Sequence, residues 1–190
     1  MRDGVIQERD DGRTERTNYV LIGMPASGKS SMGRQLAQIL DRPFLDTDLV
    51  MKEKTGKAPG ELMAATDFPH FVRTEEAVIL DIQAADSIIA TGGSVIYSPL
   101  AMAHLKSMAT IIYLEDSFRH IQRRVGALDS RGVIARPGQS FKEVYRERSR
   151  LYRHYADLTW SNYERPPWKS VYYLAALIRF MEAAQEGETQ

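Results

Sequence analysis

Short apolar runs alternate along this chain with longer segments in which apolar residues recur at helical spacing. Runs this short, bounded by polar residues, are typical of strands buried on both faces of a sheet. Strands that alternate with helices predict a parallel sheet between helical layers, the three-layer α/β/α architecture. The five predicted strands lie at residues 19–22, 43–45, 87–90, 110–114 and 158–160.

Several predicted helices carry local signals at their ends. Ser98, followed by a proline, predicts an N-cap, and Ser140 with Glu143 predicts a capping box. Gly56 is well placed to end the helix that begins near Asp48. These signals support the alternation of strands and helices.

Length and composition divide the chain into a tail and one domain. Residues 1–17 are charged and nearly free of apolar side chains, which predicts a disordered tail. We expect residues 18–190 to form a single domain, since 190 residues suit one core. The segment 126–139 has three glycines, a proline and two arginines. This composition fits a mobile lid or an ordinary surface loop.

The segment that follows the first predicted strand, GMPASGKS, fits the phosphate-binding pattern GxxxxGK[ST] at every fixed position. Its glycines let backbone N–H groups surround a phosphate, Lys29 reaches the β- and γ-phosphates, and Ser30 is placed to ligate Mg²⁺. A helix-like run at 31–40 supplies the expected context, although a glycine-rich turn with a chance lysine is the alternative. The predicted nucleotide-binding residues are Gly23, Ala26, Ser27, Gly28, Lys29, Ser30 and Ser31.

Charge and cysteine content narrow the classes of partner. The 25 basic and 25 acidic residues cancel, which favours a small-molecule substrate over nucleic acid or an anionic membrane. The absence of cysteine excludes disulfides and suits a reducing compartment, so we expect a cytoplasmic protein. The longest apolar run, 171–178, is too short to cross a bilayer, and residues 1–17 lack the core of a signal peptide. We expect a monomer.

Two further motifs follow predicted strands, at the edge where open α/β sheets bind ligands. Asp46 is placed to hold a Mg²⁺-bound water, and Asp48 to accept the proton of a substrate hydroxyl. Asp48 is equally suited to cap the helix after it. Gly92 and Gly93 bring backbone N–H groups toward a substrate or phosphate oxygen, although a bare glycine pair is a weak signal.

The order of these motifs resembles the shikimate kinase family from about Tyr19 to about Trp160. The resemblance implies a P-loop fold of the nucleoside-monophosphate-kinase type, in which ATP phosphorylates a hydroxyl of shikimate. It also implies that Mg²⁺ is required and that an arginine-bearing lid closes over the phosphates. The matching segments are GMPASGKSSMGR, FLDTDLVMKEKTGKAPGELM, FVRTEEAVI, IIATGGSVIYS and ERSRLYRHYAD.

The resemblance assigns roles to single residues. Lys29 and Ser30 match the loop lysine and the metal ligand, Asp46 the carboxylate near Mg²⁺, and Asp48 the carboxylate that holds the acceptor hydroxyl.

Three arginines acquire roles in the same way. Arg148 matches the arginine that binds the substrate carboxylate, with an exposed charge on a helix as the alternative. Arg131 falls where the family has a lid arginine that meets the transferred phosphate. Arg124 matches the arginine that stacks on adenine, and a solvated helix face explains it nearly as well.

Departures from the family pattern concentrate at the substrate end. Val72 stands where the family has an arginine, and Arg73 lies one residue later on the predicted helix. Either the start of this helix is reorganised so that Arg73 reaches the acceptor pocket, or the pocket lacks one of its two carboxylate-binding arginines. Ser94 replaces a third glycine and is strained if φ is positive there. Arg131 precedes glycine, whereas the Arg-Pro pair typical of the lid begins at Arg136, so the lid assignment is open between them.

The sequence therefore predicts an ATP- and Mg²⁺-dependent kinase with shikimate as the leading acceptor. Lys29, Asp48 and Arg131 are the predicted catalytic residues, and Asp48, Arg73, Gly92, Gly93 and Arg148 the predicted acceptor-binding residues. The alternatives are another small hydroxy acid or polyol, such as gluconate, and a degenerate ATP-binding sensor without catalysis.

Overall fold

A five-stranded parallel sheet forms the centre of the fold. The structure is a computed structural model that describes residues 17–127, 133–162 and 167–187. The strands are β1 (Asn18–Ile22), β2 (Phe44–Asp46), β3 (Ile88–Ala90), β4 (Ala109–Glu115) and β5 (Leu158–Ser161). They lie side by side in the order β2-β3-β1-β4-β5, and every pairing is parallel. Their carboxyl ends therefore meet at one edge, where ligands bind in open α/β sheets.

Helices connect these strands, as parallel pairing requires. A single turn of 3₁₀-helix, Val95–Tyr97, follows β3. The α-helices of the described residues are α1 (Lys29–Leu40), α2 (Thr47–Thr55), α3 (Pro59–Ala65), α4 (Phe68–Leu80), α5 (Pro99–Met108), α6 (Phe118–Ala127), α7 (Phe141–Tyr155) and α8 (Pro167–Gly187).

The local signals at the helix ends are confirmed. Ser98 caps α5 by accepting a hydrogen bond from the Ala101 N–H, and Ser140 and Glu143 form the predicted capping box of α7. Gly56, with φ of 72°, ends α2 in the left-handed region that glycine tolerates. These ends were predictable because capping depends on neighbours in sequence.

Alternate residues of β1 pack on opposite faces of the sheet, as the period of a strand dictates. Val20 and Ile22 join the core under α5, α6 and α7. Tyr19 and Leu21 join a second core under α1 and α8. The sheet is thus covered on both faces, and the predicted three-layer α/β/α architecture is confirmed.

A smaller apolar cluster joins the helices after β2 to the loop before α7. Met51 of α2, Leu62 of α3 and Phe71 of α4 pack with Ile134 in this cluster. Since α2 begins where β2 ends, the cluster stands at the carboxyl edge of the sheet. It forms one wall of the site described below.

Two predictions about segments stay predictions. Residues 1–16 and 128–132 lie outside the described residues, so neither the disordered tail nor the whole lid is tested. Residues 126 and 127 of the predicted lid belong to α6. Within the described ranges, no helix has both the length and the apolarity to span a membrane.

The second core makes a testable contribution to stability. Leu36 of α1 is fully buried in it, so we expect Leu36→Ala to lower the free energy of unfolding by about 2–5 kcal/mol, through lost burial and a cavity. Leu100 is 61% exposed on α5, and Leu100→Ala should change it by less than about 0.5 kcal/mol. Urea denaturation followed by circular dichroism measures both variants. Equal effects would contradict this packing.

Candidate active site

The loop between β1 and α1 has the backbone of an anion-binding loop. Ala26 and Gly28 adopt φ of 64° and 95°, both in the left-handed region. Backbone that alternates in this way directs successive N–H groups toward one point. Because α1 starts at Lys29, the positive end of its dipole faces the same loop. Ser30 and Ser31 lie exposed in the first turn of the helix.

Lys29 is almost fully buried in this loop, with 7% of its surface exposed. Its Nζ donates hydrogen bonds to the carbonyl oxygens of Gly23 and Met24, each at 2.9 Å. Burial lowers the pKa of Lys29 to about 8, against the opposing effect of the Asp48 and Asp46 carboxylates. The ammonium group is therefore held between the loop and these carboxylates.

Two side chains from outside the loop bind two further carbonyl groups of the loop. Arg124 Nη1 of α6 donates to the carbonyl oxygen of Ala26 at 3.2 Å. Asn162 Nδ2, just after β5, donates to the carbonyl oxygen of Ser27 at 2.9 Å. The C=O and N–H of a trans peptide point in opposite directions. Bonds on the carbonyl side therefore turn the following N–H groups toward the anion site.

A cavity of about 300 Å³ adjoins the loop, with Arg124 on its wall. Arg124 also pairs with the buried carboxylate of Asp116 at 2.7 Å, and its side chain is 41% exposed. Arg124 is thus partly solvated as well as paired, and both the solvated helix face and stacking on adenine stay open for it. The cavity is lined by Ala26, Ser27, Gly28, Ser31, Met32, Gln35, Arg124, Asn162 and Val171.

A second cavity, of about 250 Å³, lies at the carboxyl ends of β2 and β3. The cavity requires glycine at position 92. A side chain there would place a Cβ that collides with Glu75 Oε1 and lies 2.9 Å from Asp48 Oδ1. The Gly92 N–H donates to Thr47 Oγ1 at 3.1 Å, which fixes the turn. The lining residues are Asp48, Ala58, Pro59, Gly60, Phe71, Glu75, Gly92, Gly93, Ser94 and Ile134.

The two aspartates after β2 have different tasks. Asp46 is the last residue of the strand and caps α2, because its side chain accepts a hydrogen bond from the Asp48 N–H at 3.1 Å. The alternative that Asp48 is the cap is therefore wrong. Asp48 instead faces the second cavity, where burial raises the pKa of its carboxyl against the opposing charge of Lys29. A carboxylate in this position can accept a hydroxyl proton.

Glu75 is a site residue to which the sequence analysis assigns no role. Its surface is 3% exposed, and it lines the second cavity. Burial raises the pKa of Glu75 to about 7, a hydrogen bond from Ser94 opposes this rise, and the charge of Asp48 adds to it. A signal was present, because Glu75 falls one turn after Phe71 on the apolar face of the helix.

Arg148 is completely buried on α7, so the alternative of an exposed helix charge is wrong. Its Nε donates to the Tyr97 hydroxyl at 3.3 Å, and its Nη2 donates to the carbonyl oxygen of Ile134. Within the described residues, Nη1 of Arg148 has no hydrogen-bond partner. It lies near Gly93, where a Cβ would be 3.2 Å from it. A buried guanidinium with a free N–H group is suited to bind a carboxylate.

Of the other predicted arginines, Arg73 and Arg136 do not line the second cavity. Arg73 is exposed on α4, because two residues of helix turn it about 200° away from Phe71, and the structure does not support its predicted acceptor-binding role. Arg131 lies outside the described residues. Arg136 pairs with Glu147 at 2.8 Å, and its guanidinium lies over the Tyr97 ring.

Comparisons with known proteins decide the family. A family model described as shikimate kinase matches residues 25–179. Shikimate kinase of Rhodococcus jostii is 36% identical over 84% of this chain and 96% of its own length. That of Mycobacterium avium is 34% identical over 87% of this chain and 96% of its own. The chain belongs to the shikimate kinase family.

Solved structures of shikimate kinases have the same fold. The crystal structure from Aquifex aeolicus gives a TM-score of 0.71 at 26% identity, over 88% of this chain and 98% of its own. The structure from Acinetobacter baumannii in complex with shikimate gives 0.76 at 24% identity, over 88% and 93%. The chain is thus a phosphotransferase that acts on a hydroxyl acceptor, and its family uses ATP. The relatives do not favour another acceptor or a sensor without catalysis.

The structure accommodates two of the departures from the family pattern. Ser94 has φ of −98°, so the strain expected at a positive φ does not arise. Val72 packs at the rim of the apolar cluster formed by α2, α3 and α4. Position 72 therefore contributes no charge to the cavity, and Arg148 is the buried arginine beside it.

Glu75 gives stability a dependence on pH. The folded protein retains a proton on Glu75 up to about pH 7, whereas an ordinary glutamate in the unfolded chain has lost it above pH 4.5, so stability falls as pH rises between these values. Glu75→Gln cannot ionise. From about pH 5 to about pH 8, we expect it to gain roughly 1–3 kcal/mol of unfolding free energy relative to the wild type.

Urea denaturation at both pH values measures this difference. Glu53→Gln is the control, because Glu53 is exposed on α2. A pH dependence of Glu75→Gln identical to that of the wild type would show that Glu75 is not buried in its protonated form.

Proposed function

We propose that this protein transfers the γ-phosphoryl group of ATP to a hydroxyl group of shikimate. The observation that carries the proposal is the half-buried Asp48 carboxylate on the wall of the second cavity together with the buried, unpartnered Nη1 of Arg148 just behind Gly93, which also lines that cavity. One group suits a hydroxyl and the other a carboxylate, and shikimate has both. The name of the Acinetobacter baumannii structure, a complex with shikimate, supports the same acceptor.

The β1–α1 loop supplies the nucleotide site of this proposal. Its backbone N–H groups and the start of α1 stabilise the phosphate charge, and Lys29 neutralises charge that develops between the β- and γ-phosphates. Arg124 borders the adenine end of the neighbouring cavity.

A magnesium ion fits the donor groups near this loop. The described residues contain no cluster of three or more acidic or histidine side chains that could enclose a metal. Mg²⁺ commonly binds one or two protein oxygens and completes its shell with phosphate oxygens and water. The Ser30 hydroxyl and the Asp46 carboxylate are the oxygens we assign to it, and the bound ion would offset phosphate charge.

The transfer step needs few groups from the protein. Asp48 aligns the acceptor hydroxyl and takes its proton as the oxygen attacks the γ-phosphorus, while the bond from that phosphorus to the bridging oxygen breaks and ADP leaves. Arg148 fixes the acceptor through its carboxylate, and the bare backbone at Gly92 and Gly93 admits it. We assign Arg131 to the lid, where it would stabilise charge on the transferred group.

The proposal also covers the domain organisation, the cellular location, the oligomeric state and the partners of the protein. We assign kinase activity to one domain, residues 18–190, acting as a cytoplasmic monomer without a nucleic-acid or membrane partner. The balance of 25 basic and 25 acidic residues and the absence of cysteine support this assignment.

An acceptor panel tests the substrate. We expect ATP consumption in the presence of Mg²⁺ and shikimate, and none above background with gluconate, quinate or nucleoside monophosphates, because the relatives that this chain matches over most of its length are shikimate kinases. A coupled assay of ADP release measures each acceptor. Turnover of another acceptor but not of shikimate would overturn the substrate and leave the kinase class intact.

The role of Asp48 is tested by Asp48→Asn. We expect kcat to fall by about 10²-fold or more, because the amide cannot accept the hydroxyl proton, while calorimetry finds the affinity for ATP retained. Asp81→Asn is the matched control, since Asp81 lies exposed after α4 and pairs with Lys54. An unchanged kcat in Asp48→Asn would refute the assigned role.

A further inference from the structure

Asn162 connects the end of β5 to the nucleotide loop. Its backbone N–H donates to the carbonyl oxygen of Glu115 at 2.9 Å, which continues the strand pairing of β4 and β5. Its side chain, in a residue only 8% exposed, donates to the carbonyl oxygen of Ser27 at 2.9 Å. A rigid part of the sheet therefore contacts the centre of the loop directly.

A chain of hydrogen bonds fixes which end of the Asn162 amide faces the loop. Trp160 Nε1 can only donate, and it donates to Ser170 Oγ at 2.8 Å. The Ser170 hydroxyl, in a fully buried residue of α8, then donates its proton to Asn162 Oδ1 at 3.2 Å. With its oxygen engaged, Asn162 presents its NH₂ group to Ser27. The direction of the relay thus follows from the indole, which has no acceptor.

The hydrogen bond from Asn162 to the Ser27 carbonyl also affects the neighbouring N–H of Gly28. The peptide that carries the Ser27 carbonyl also carries the Gly28 N–H, which points the opposite way. Gly28 has φ of 95° and no side chain of its own to hold that orientation. A Cβ on Gly28 would lie 3.6 Å from Asn162 Nδ2, so the two residues are in contact. Fixing the carbonyl therefore fixes a donor of the anion site.

We propose that Asn162 is a positioning residue for the nucleotide loop, and that the relay through Trp160 and Ser170 sets its orientation. The inference rests on the proposed function, since it presumes that the loop binds the phosphates of ATP. Asn162 acts through the Ser27–Gly28 peptide and needs no contact with the nucleotide. Neither aspartate, which has no NH₂ group to donate, nor alanine can replace it.

Binding of ATP with Mg²⁺, measured by calorimetry, tests the inference without an acceptor. We expect Asn162→Ala and Asn162→Asp to weaken the affinity for ATP and to raise its KM by about tenfold, because a buried hydrogen bond that orients a ligand group is lost. The KM for shikimate at saturating ATP should stay at the wild-type value. A general loss of structure would not raise the KM for ATP while leaving the KM for shikimate unchanged.

Asn18 offers a matched control at the opposite end of β1. It is 1% exposed and donates to the carbonyl oxygens of Ala84 and Met108, at 2.7 and 3.0 Å. We expect Asn18→Ala to lower the melting temperature and leave the affinity for ATP unchanged. An equal loss of ATP affinity in Asn18→Ala and Asn162→Ala would overturn the inference.

Two milder variants cover the case in which Asn162→Ala fails to fold. Ser170→Ala and Trp160→Phe each break the relay and leave Asn162 in place, so the amide can turn over and the affinity for ATP should fall by less than in Asn162→Ala. Wild-type affinity in both of these variants would refute the relay, and wild-type affinity in a folded Asn162→Ala would refute the positioning role. A wild-type protein that binds no ATP would overturn the proposed function instead.

Discussion

The buried ammonium group of Lys29 is the constraint on which the site depends. An isolated buried charge is costly, and here its cost is offset by the carbonyl oxygens of Gly23 and Met24 and by nearby carboxylates. The same partners tie the loop after β1 to Asp48 after β2. One cation therefore connects the loop proposed to bind the nucleotide with the aspartate proposed to bind the acceptor. The pKa of Lys29 is lowered to about 8 because burial removes water from its ammonium group.

The second cavity, the proposed acceptor site, has the complementary property that buried groups in and beside it lack a full set of partners. Arg148 Nη1 and Glu75 Oε2 have no hydrogen-bond partner within the described residues. Unsatisfied buried polar atoms are rare in folded proteins, and a ligand that satisfies them gains the corresponding free energy. With Val72 in an apolar cluster, no α4 arginine offsets the charge of Glu75 when it ionises. Burial, with the charge of Asp48 adding to it, raises the pKa of Glu75, so it holds its proton more tightly than an ordinary glutamate.

The fold positions both sides of the site through backbone that the sheet makes rigid. The phosphate loop follows β1, the aspartates end β2, and the glycine turn follows β3, so the parallel register alone brings three motifs to one edge. Contacts from α6 and from the end of β5 then hold the loop from outside. Arg148 belongs to α7. One turn later on the same helix, the Tyr152 hydroxyl donates to the Gly93 carbonyl oxygen at 2.6 Å and so holds α7 against the glycine turn.

The sequence by itself determined the strand positions, the helix caps, the phosphate loop and the carboxylates after β2, because each depends on residues adjacent in the chain. It could not decide whether Asp48 caps α2 or faces a cavity, or whether Arg148 is exposed, since the surroundings of both side chains depend on how their helices pack against distant elements. For the same reason it could not foresee that Arg73 is exposed on α4, which does not support its predicted acceptor-binding role. Glu75 and Asn162 became site residues only when α4 and β5 packed against the rest, because burial and pairing are properties of three-dimensional neighbours.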